Sequence, residues 1–486
     1  MPGVSAEVDT ERTQYIDGQW RRGEGAPLTV VNPATEAVIA EVATATAAQV
    51  GAAVAAARGA SAAWARTPPP ERAAALRRIA DALEANEERL AESLMAEIGK
   101  PRRRAHEDVR NSAAYLRYMA EWDRRIEGEI PPSDNANEAI HLLRVPLGVV
   151  AAITAWNYPL DLMIRKVAPA LITGNTVIVK PTELAPLTTL AAVRIVAEQA
   201  DLPPGVLNLV TGGGDVGQAL VAHPGVDMIS MTGHRDTGKR IMAAAAANLT
   251  RVSLELGGSA PAIVLPDADL DRAVEALIFS RFENAGQVCT AAERILVHDE
   301  VHDAFVERYV AAAARLRVGL PEDDPDLGPL VSREQREKVR AAVSAARAGG
   351  ATVRLGGERP QGPDFDKGFW FSPTVLTDVP LDGSSSCDEI FGPVAAISRV
   401  ADIEQAIAVA NGTRYGLSAF LFSESYRTVM QVADRLACGE LYINRAMGEA
   451  LQGFHTGHKE SGIGGEDGRH GVLKYTQIKT VYHSYG

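Results

Sequence analysis

The sequence has little of what marks secreted, membrane-spanning or disulfide-stabilised proteins. Its three cysteines, Cys289, Cys387 and Cys438, are odd in number and scattered among 486 residues, which favours a reducing compartment over a disulfide framework. The first twenty residues lack a basic segment followed by an apolar one, so we expect no signal peptide. Apolar stretches such as "MAAAAANL" are short and alanine-rich and do not supply the roughly 20 apolar residues of a membrane span. We therefore expect a soluble, cytoplasmic protein.

Positive charge is also in deficit. The formal net charge is −13, which argues against nucleic acid as a partner, because a polyanion is held mainly by lysine and arginine. The chain is long enough to bury a large core, and its 46% hydrophobic content is ordinary for a globular protein. We expect two or three domains.

The order of predicted elements indicates an α/β fold. Short strands from residue 15 to about 41 are followed by long helices rich in alanine, arginine and glutamate, and one helical pattern ends at Gly99 and Pro101. From Val149 onward, continuous apolar segments alternate with amphipathic helices, which is typical of a parallel sheet covered on both faces. The simplest layout is two α/β domains that meet near residues 256–258.

Two glycine-rich turns could bind phosphate. "GGGDVG" at residues 212–217 follows a predicted strand and opens a helix, as a dinucleotide fingerprint does. A glycine-rich turn more often only connects a strand to a helix and binds no ligand. "MTGHRDTGKRI" at residues 231–241 matches the P-loop sequence pattern except at Arg240, which stands where the pattern requires a hydroxyl residue to bind Mg²⁺. We therefore exclude a nucleoside triphosphatase and keep a helix N-terminus that favours an anion.

Three side chains could carry chemistry. Cys289 has small and polar neighbours in "FENAGQVC", which suits a thiol that faces a cleft, although most cysteines are structural. Glu255 ends an apolar strand at the inferred domain junction, where a desolvated carboxylate makes a general base, unless it lies on the surface. Asn157 follows another strand and could donate to an oxyanion or simply belong to a turn before proline.

Together the motifs resemble those of the aldehyde dehydrogenase superfamily over nearly the whole chain, from about Tyr15 onward. The matching segments, in family order, are "AWNYP", "VKPTE", "MTG" with a following "TG", "LELGG", "FENAGQVC", "EIFGP" and "KESGIG". The resemblance implies an enzyme that oxidises an aldehyde to a carboxylic acid with NAD, through a cysteine thiohemiacetal and thioester.

The resemblance also assigns catalytic roles. Cys289 would be the nucleophile, and Asn157 with the Cys289 backbone N–H would hold the oxyanion. Glu255 would activate the water that hydrolyses the thioester, which favours hydrolysis over transfer to coenzyme A. Lys166 aligns with a family lysine linked to proton relay.

For the cofactor, the resemblance implies NAD, with NADP the lesser alternative. Lys180 and Glu183 would bind the adenosine ribose, and the Glu183 carboxylate would repel a 2′-phosphate. The family usually has serine where this chain has His234, so the pyrophosphate contact could differ here. The implied cofactor-binding residues are Trp156, Lys180, Thr182, Glu183, Gly214, Gln218, Gly233, His234, Thr237, Leu256, Glu389 and Phe391. No metal ion is implied.

The C-terminal region is most similar to the lactaldehyde and glycolaldehyde dehydrogenase branch. The substrate-binding residues that this implies are Arg165, Thr290, Glu449 and His455. Polar groups at these positions suit a small hydroxylated aldehyde of the lactaldehyde or glycolaldehyde type. An acid semialdehyde or another polar aldehyde is the alternative.

The resemblance implies a Rossmann-like NAD domain (residues 1–129 and 150–256), an α/β catalytic domain (257–465) and a small β oligomerisation extension (130–149 and 466–486). The tail "TQIKTVYHSY" alternates like a strand without an obvious local partner. We expect a homodimer or homotetramer.

Two other classes of protein remain open. A thiol esterase or hydrolase without a redox step needs a histidine paired with Cys289, and no motif near Cys289 supplies one. A catalytically silent structural homologue has no chemical need to keep Cys289, Glu255 and Asn157 together.

Overall fold

Strands and helices alternate along most of the chain, and the predicted α/β fold class is confirmed. The computed structural model describes residues 9–381 and 388–485, so Cys387 lies outside the described residues. The strands are β1 (Gln14–Ile16), β2 (Gln19–Arg21), β3 (Gly25–Val31), β4 (Val38–Thr44), β5 (Glu138–Pro146), β6 (Val149–Ile153), β7 (Thr176–Lys180), β8 (Leu207–Leu209), β9 (Met228–Thr232), β10 (Arg251–Glu255), β11 (Ala260–Val264), β12 (Ala292–His298), β13 (Thr352–Leu355), β14 (Thr374–Thr377), β15 (Val394–Val400), β16 (Ser418–Phe422), β17 (Glu440–Ile443), β18 (Gly462–Ile463) and β19 (Thr476–Ser484).

The helices surround these strands and cover the sheets. They are α1 (Ala47–Arg66), α2 (Pro69–Ala85), α3 (Glu87–Ile98), α4 (Arg102–Ala120), α5 (Pro159–Ile172), α6 (Leu187–Gln199), α7 (Gly214–Val221), α8 (Arg235–Ala245), α9 (Leu270–Phe282), α10 (His302–Ala313), α11 (Arg333–Ala348), α12 (Ile403–Asn411), α13 (Tyr426–Arg435) and α14 (Gly468–Leu473). Among the described residues, none of the helices combines the length and apolarity that a membrane crossing requires.

The first large sheet has the strand order β18-β10-β9-β6-β7-β8-β1-β2. The five strands from β10 to β8 are parallel, whereas β18, β1 and β2 add antiparallel edges. Every residue of β7 is buried, as expected for a continuous apolar strand covered on both faces.

The second sheet has the order β13-β14-β15-β12-β11-β16-β17, in which only the pairing of β13 with β14 is antiparallel among the described strands. The segments after the carboxyl ends of β6, β9 and β10 in the first sheet meet the segments before the amino ends of β12 and β15 in the second. Ligands of parallel α/β sheets bind at such carboxyl ends, so the cleft between the sheets is the natural place for a site.

The helical region before β5 differs from the sequence pattern at one point. The single helical pattern that ends at Gly99 is split in two, because Asn86 leaves helical geometry with φ −115° and ψ 26° between α2 and α3. The predicted end is confirmed: Gly99 caps α3 in the left-handed region with φ 72°, which glycine adopts without steric strain.

The C-terminal strand has its partner in the same chain. β19 pairs antiparallel with β5 from Thr476 opposite Pro146 to Ser484 opposite Glu138. The tail has no partner nearby in the sequence, because the strand that it pairs with precedes it by more than 300 residues. The two strands form a separate two-stranded sheet.

A buried ion pair holds the helical region against the segment that follows β6. Lys100 Nζ lies 2.5 Å from Asp108 Oδ2, and neither side chain has measurable exposure. The same ammonium lies 3.6 Å from the centre of the Tyr158 ring, next to Asn157. Lys100 therefore connects α4 to the loop that carries a candidate catalytic residue.

Because removing one partner leaves a buried charge uncompensated, we expect Asp108→Asn to lower the free energy of unfolding by about 3–5 kcal/mol. The matched control is Glu84→Gln, which removes a partner of Arg117 in an exposed pair and should cost less than about 1 kcal/mol. Urea unfolding followed by circular dichroism measures both. Equal, small shifts of the two midpoints would contradict the role given to Lys100.

Candidate active site

A cavity of about 520 Å³ lies between the two large sheets. It brings together most of the residues that the sequence singled out, although their positions span some 300 residues of chain. The predicted residues that line it are Trp156, Asn157, Arg165, Gly233, His234, Glu255, Leu256, Cys289, Thr290, Glu389, Phe391, Glu449 and His455.

The other predicted residues lie outside the lining of this cavity. Lys166, Lys180, Thr182, Glu183, Gly214, Gln218 and Thr237 do not line it. Lys180 ends β7, and its Nζ lies 3.7 Å from the half-exposed carboxylate of Glu183. A Cβ added to Gly217 would contact the Lys180 side chain at 3.5 Å, so "GGGDVG" and "VKPTE" are neighbours at the carboxyl edge of the first sheet.

Cys289 is delivered by a loop in unusual geometry. Asn284, Ala285 and Gly286 are consecutive left-handed residues with φ of 49°, 55° and 72°, and such geometry costs roughly 1–2 kcal/mol for each non-glycine residue. The Gln287 side chain compensates, because its Nε2 donates to Asn284 O and its Oε1 accepts from Val331 N. These hydrogen bonds thus fix the backbone of the residues that directly precede Cys289.

Gly258 brings the two sheets close behind the thiol. A Cβ at this position would lie 2.4 Å from the Cys289 carbonyl oxygen, so no larger residue fits without moving the loop. "LELGG" therefore supplies a candidate base, Glu255, and the glycine that packs against the Cys289 backbone, Gly258.

Glu255 ends β10 and is 3% exposed. Neither carboxylate oxygen accepts a hydrogen bond from the described residues. Burial raises the pKa of Glu255 to about 7, although the charge of His455 opposes the rise. A carboxylate that titrates near neutral pH can both take up and release a proton during turnover.

His455 lies at the centre of the acidic groups. Its Nε2 is 3.7 Å from Glu255 Oε2, and its Nδ1 is 3.2 Å from Glu440 Oε2. The ring lines the same cavity as the Cys289 side chain, and its charge acts on the thiol. A histidine therefore shares the cavity with Cys289, 166 residues farther along the chain, where no local motif could reveal it.

The ionisation of this group follows from burial and contacts. Burial raises the pKa of the Cys289 thiol, and the charge of His455 opposes that rise. Burial would lower the pKa of His455, but the hydrogen bond to Glu440 and the charges of Glu255 and Glu440 raise it well above its ordinary value. His455 is therefore an imidazolium at neutral pH.

Asn157 is held from both sides by the loop that precedes Cys289. Its Nδ2 donates to Gln287 O at 3.1 Å, and its carbonyl accepts from Asn284 Nδ2 at 3.1 Å. The amide has two hydrogens, so one N–H remains to face the cavity that Asn157 lines.

Lys166 lies beneath the cavity floor. Its Nζ donates to Thr232 Oγ1 at 2.6 Å and to Glu466 Oε1 at 2.8 Å. Burial works against ionisation of Glu466, yet the charge of Lys166 lowers the pKa of this carboxyl to about 2. Glu466 itself lines the cavity, and it connects the buried lysine to the neighbourhood of Glu255.

The turn "EIFGP" is fixed by a buried carboxylate that the sequence did not single out. Glu293 accepts from the backbone N–H groups of Ile390 and Phe391. The turn presents Glu389, whose Oε1 accepts from Gly258 N at 2.9 Å, and burial raises the pKa of Glu389 to about 7. Phe391 meets Trp156 edge to face, with ring centres 5.3 Å apart.

His234 caps α8. Its Nδ1 accepts from the backbone N–H of Asp236 at 3.2 Å, and burial lowers the pKa of the half-exposed ring. The ring is therefore neutral, with its hydrogen on Nε2. The ring therefore stays at the helix N-terminus and keeps one donor, Nε2, outside the cap hydrogen bond.

The cavity wall around Arg165 and Glu449, called here the far end, is ionic. Arg165 Nη2 lies 2.5 Å from Asp467 Oδ2, and its Nε lies 3.7 Å from Asp161 Oδ2. The charges of His455 and Arg165 hold the pKa of Glu449 below its usual range, although burial opposes this. Thr290 Oγ1 lies 3.7 Å from Met447 Sδ.

The sequence reasoning missed several polar residues of the site. Those on or beside the cavity wall are Arg104, Asp161, Glu283, Lys338, Glu440, Glu466 and Asp467. Asp161 offered one signal, since it precedes Arg165 by four residues on one helix face. Arg104 and Glu283 lie 179 positions apart, and their 3.0 Å ion pair left no local pattern.

Comparison with known proteins agrees with the motifs and the geometry. The model of the aldehyde dehydrogenase family matches residues 20–481. Lactaldehyde dehydrogenase of Escherichia coli K12 is 43% identical over 98% of this chain and 99% of its own length. A crystal structure of that Escherichia coli enzyme superposes with a TM-score of 0.95 over 98% of this chain and 99% of the other.

Two other relatives extend the comparison. The 3,6-anhydro-alpha-L-galactose dehydrogenase of Vibrio sp. strain EJY3 is 42% identical over 97% of this chain and 98% of its own length. A Staphylococcus aureus betaine aldehyde dehydrogenase, solved in complex with NAD+, is 34% identical with a TM-score of 0.96, over 99% of this chain and 97% of the other. This chain belongs to the aldehyde dehydrogenase family, whose members are oxidoreductases that act on aldehydes.

Proposed function

We propose that this protein oxidises a small, neutral, hydroxylated aldehyde to the carboxylic acid, with NAD as acceptor and Cys289 as nucleophile. The observation that carries the proposal is the meeting of Cys289, Glu255 and Asn157 in one cavity with the aromatic pair Trp156 and Phe391. A thiol, a base and an amide donor around one reacting carbon are the groups that acyl chemistry requires.

The reaction begins at the thiol. The Cys289 thiolate adds to the aldehyde carbon, and the oxygen of the resulting thiohemiacetal takes a hydrogen bond from the free amide N–H of Asn157 and from the Cys289 backbone N–H. A bound dinucleotide would supply the acceptor for the hydride that leaves this carbon, and a thioester would then remain on Cys289.

Hydrolysis of the thioester is the task of Glu255. With its pKa raised to about 7 by burial, this carboxylate takes a proton from water as the water adds to the thioester carbon, and the carboxylic acid leaves. Lys166 serves in proton relay in this proposal, supported by its contact with Glu466, which lines the cavity.

The residues present fit a dinucleotide. Lys180 and Glu183 offer an ammonium and a carboxylate, 3.7 Å apart, to ribose hydroxyls, and Glu389 offers a second carboxylate beside Phe391. The start of α8 offers backbone N–H groups and the Nε2 donor of His234 to an anion. The other cofactor-binding residues of the proposal are Thr182, Gly214, Gln218, Gly233, Thr237 and Leu256.

NAD is favoured over NADP by the same side chains. The Glu183 carboxylate is 51% exposed and would lie beside a 2′-phosphate, which it repels. Solved relatives are in complex with NAD+ in one case and with NAP in another, so the preference for NAD rests on Glu183.

The charge of the far end selects the substrate class. Carboxylates outnumber cations on the cavity wall, and Arg165 is already paired with Asp467 and Asp161. An acid semialdehyde would bring another anion beside Arg165, whose charge is already paired, whereas hydroxyl groups can exchange hydrogen bonds with Arg165, Thr290, Glu449 and His455. A long alkyl chain would bury these polar groups without partners.

Thiol-dependent ester hydrolysis without a redox step is a second candidate, because His455 lines the same cavity as Cys289 and offers the histidine that it needs. An activated ester tests it in the absence of NAD. Ester turnover, together with no NADH from any aldehyde, would favour this candidate over oxidation.

We further propose that the protein is a homodimer or homotetramer and works in the cytoplasm, where Cys289 stays reduced. The two-stranded sheet of β5 and β19 supports oligomerisation, because such a sheet is marginal alone and Ile478 and Tyr482 are 55% and 65% exposed on one face.

Replacing Cys289 with alanine should abolish the formation of NADH from lactaldehyde and NAD, since no other group forms the thioester. Absorbance at 340 nm measures this. The matched control is Cys438→Ala, which removes the other described free thiol and should retain turnover near that of the natural protein. Persistent NADH formation by Cys289→Ala would overturn the assigned nucleophile.

A panel of aldehydes tests the substrate class. We expect kcat/KM for lactaldehyde, glycolaldehyde and glyceraldehyde to exceed that for succinic semialdehyde, betaine aldehyde and hexanal by about tenfold or more, with NAD and NADP measured in parallel. Asp161→Asn should raise kcat/KM for succinic semialdehyde relative to lactaldehyde. The substitution removes one of the two carboxylates beside Arg165, so that the guanidinium can attract the carboxylate of the substrate. Preference of the natural protein for the semialdehyde or hexanal would contradict the proposal.

Light scattering coupled to size exclusion tests the oligomer. The native mass should be two or four times 51.6 kDa, and the double variant Ile478→Lys, Tyr482→Lys should shift it downward. Tyr426→Lys is the control, since Tyr426 is 77% exposed on α13, away from β5 and β19. A monomeric natural protein would refute this part of the proposal.

A further inference from the structure

Glu440 is an acidic residue of the site that the motifs did not indicate. It is the first residue of β17 and is not among the residues that line the cavity. Its Oε2 lies 3.2 Å from His455 Nδ1 and accepts from the Tyr442 hydroxyl at 3.0 Å. Glu440 thus contacts the Nδ1 side of His455 from outside the cavity, whereas His455 itself lines the cavity.

The ring of His455 is held by charge on both sides. On the Nδ1 side lie Glu440 and, at 3.8 Å, Glu449 Oε1; on the Nε2 side lies Glu255 Oε2 at 3.7 Å. The ring is 3% exposed, so water does not screen these contacts. A neutral imidazole has one N–H and could satisfy carboxylates on one side only, whereas the imidazolium satisfies both.

We propose that Glu440 is a positioning residue that keeps His455 protonated and oriented, so that the imidazolium stabilises the Cys289 thiolate. Glu440 touches neither the cavity nor Cys289, so its effect on the thiol passes through His455. The inference rests on the proposed function only in taking Cys289 as the nucleophile.

The proton balance is simple. The S–H bond of Cys289 breaks and its proton passes to water in the cavity, while His455 remains the imidazolium that its carboxylate contacts maintain and stabilises the thiolate left behind. No proton need pass to Glu255 in this step. The carboxylate of Glu255 remains ionised for the later deprotonation of water, and the two activations are divided between two residues.

Other ionisable groups surround the pair of Glu440 and His455. The anions and neutral acids that face His455 or its partners are Glu255, Glu449, Glu466, Asp467, Tyr442 and Cys438. The nearest cations are Arg165, beside Glu449, and Lys166 and Lys474, which act on Glu255 and Glu466. Of the carboxylates that contact the ring, Glu449 and Glu255 line the cavity and Glu440 does not, so only Glu440 can be neutralised without altering the cavity wall.

The test is the pH dependence of alkylation of Cys289 in the full-length protein, without aldehyde or NAD. Iodoacetamide is applied between pH 5.5 and 10, and modification of the Cys289 peptide is followed by mass spectrometry. Glu440→Gln preserves shape and a hydrogen-bond acceptor but removes the charge. We expect its midpoint to rise by about one pH unit and its alkylation at pH 7 to slow about tenfold, with rates that converge at pH 10.

Three further variants complete the design. Glu440→Asp keeps the charge at a longer distance and should fall between the natural protein and Glu440→Gln. His455→Asn should raise the midpoint at least as far as Glu440→Gln does. Glu424→Gln, which removes an exposed charge on the loop after β16, should match the natural protein. If Glu440→Gln does not fold, the midpoint of Glu440→Asp decides.

Two results would overturn the inference. One is a profile of Glu440→Gln that overlaps the natural one; the other is a rate that falls by the same factor at every pH, which a packing defect would give. Failure of the proposed function is separate, because a natural protein that forms no NADH from any aldehyde can still show the expected alkylation profile. Where turnover is measured, Glu440→Gln should lower kcat at pH 7 and leave KM nearly unchanged.

Discussion

Ionisable groups that are buried between the two sheets need partners of opposite sign, and this requirement arranges the site around Cys289. Asp467 pairs with Arg165 and Glu466 with Lys166, so that two consecutive acidic residues bind one helix, α5. Because an unpaired buried charge destabilises a fold by several kcal/mol, the segment after β18 must dock against α5 for the chain to fold.

The same requirement links the second sheet to the cleft. Arg281 and Glu293 are both nearly fully buried, with Nη1 and Oε1 3.4 Å apart. Arg281 also donates to Gly286 O beside the loop of Cys289, and Glu293 fixes the turn that presents Glu389. One buried pair thereby places the candidate nucleophile and a candidate cofactor contact relative to each other. Chemistry that requires these groups within a few ångströms depends on such preorganisation.

The predictable part of this molecule is what local sequence determines. Apolar strands alternating with amphipathic helices predicted both parallel sheets, and the contiguous motif "FENAGQVC" predicted the loop of Cys289. Charge partners that meet only in the folded chain could not be predicted in this way. Glu440 stands at the start of a short strand, and nothing in its neighbours points to His455; Arg104 and Glu283 meet across 179 positions. Pairing of β19 with β5 is of the same kind, because no turn or short loop joins the two strands.

The division between a base for water and a partner for the thiol is the central feature of the account, and it is best tested by trapping the acyl-enzyme. Glu255→Gln is mixed with NAD and lactaldehyde, quenched in acid within seconds, and digested for mass spectrometry. With the base for water removed and the thiol still activated, the account predicts that the lactoyl thioester accumulates on Cys289 to about one group per chain, with an equal amount of NADH. NADH formation without an adduct, or an adduct on another residue, would contradict it.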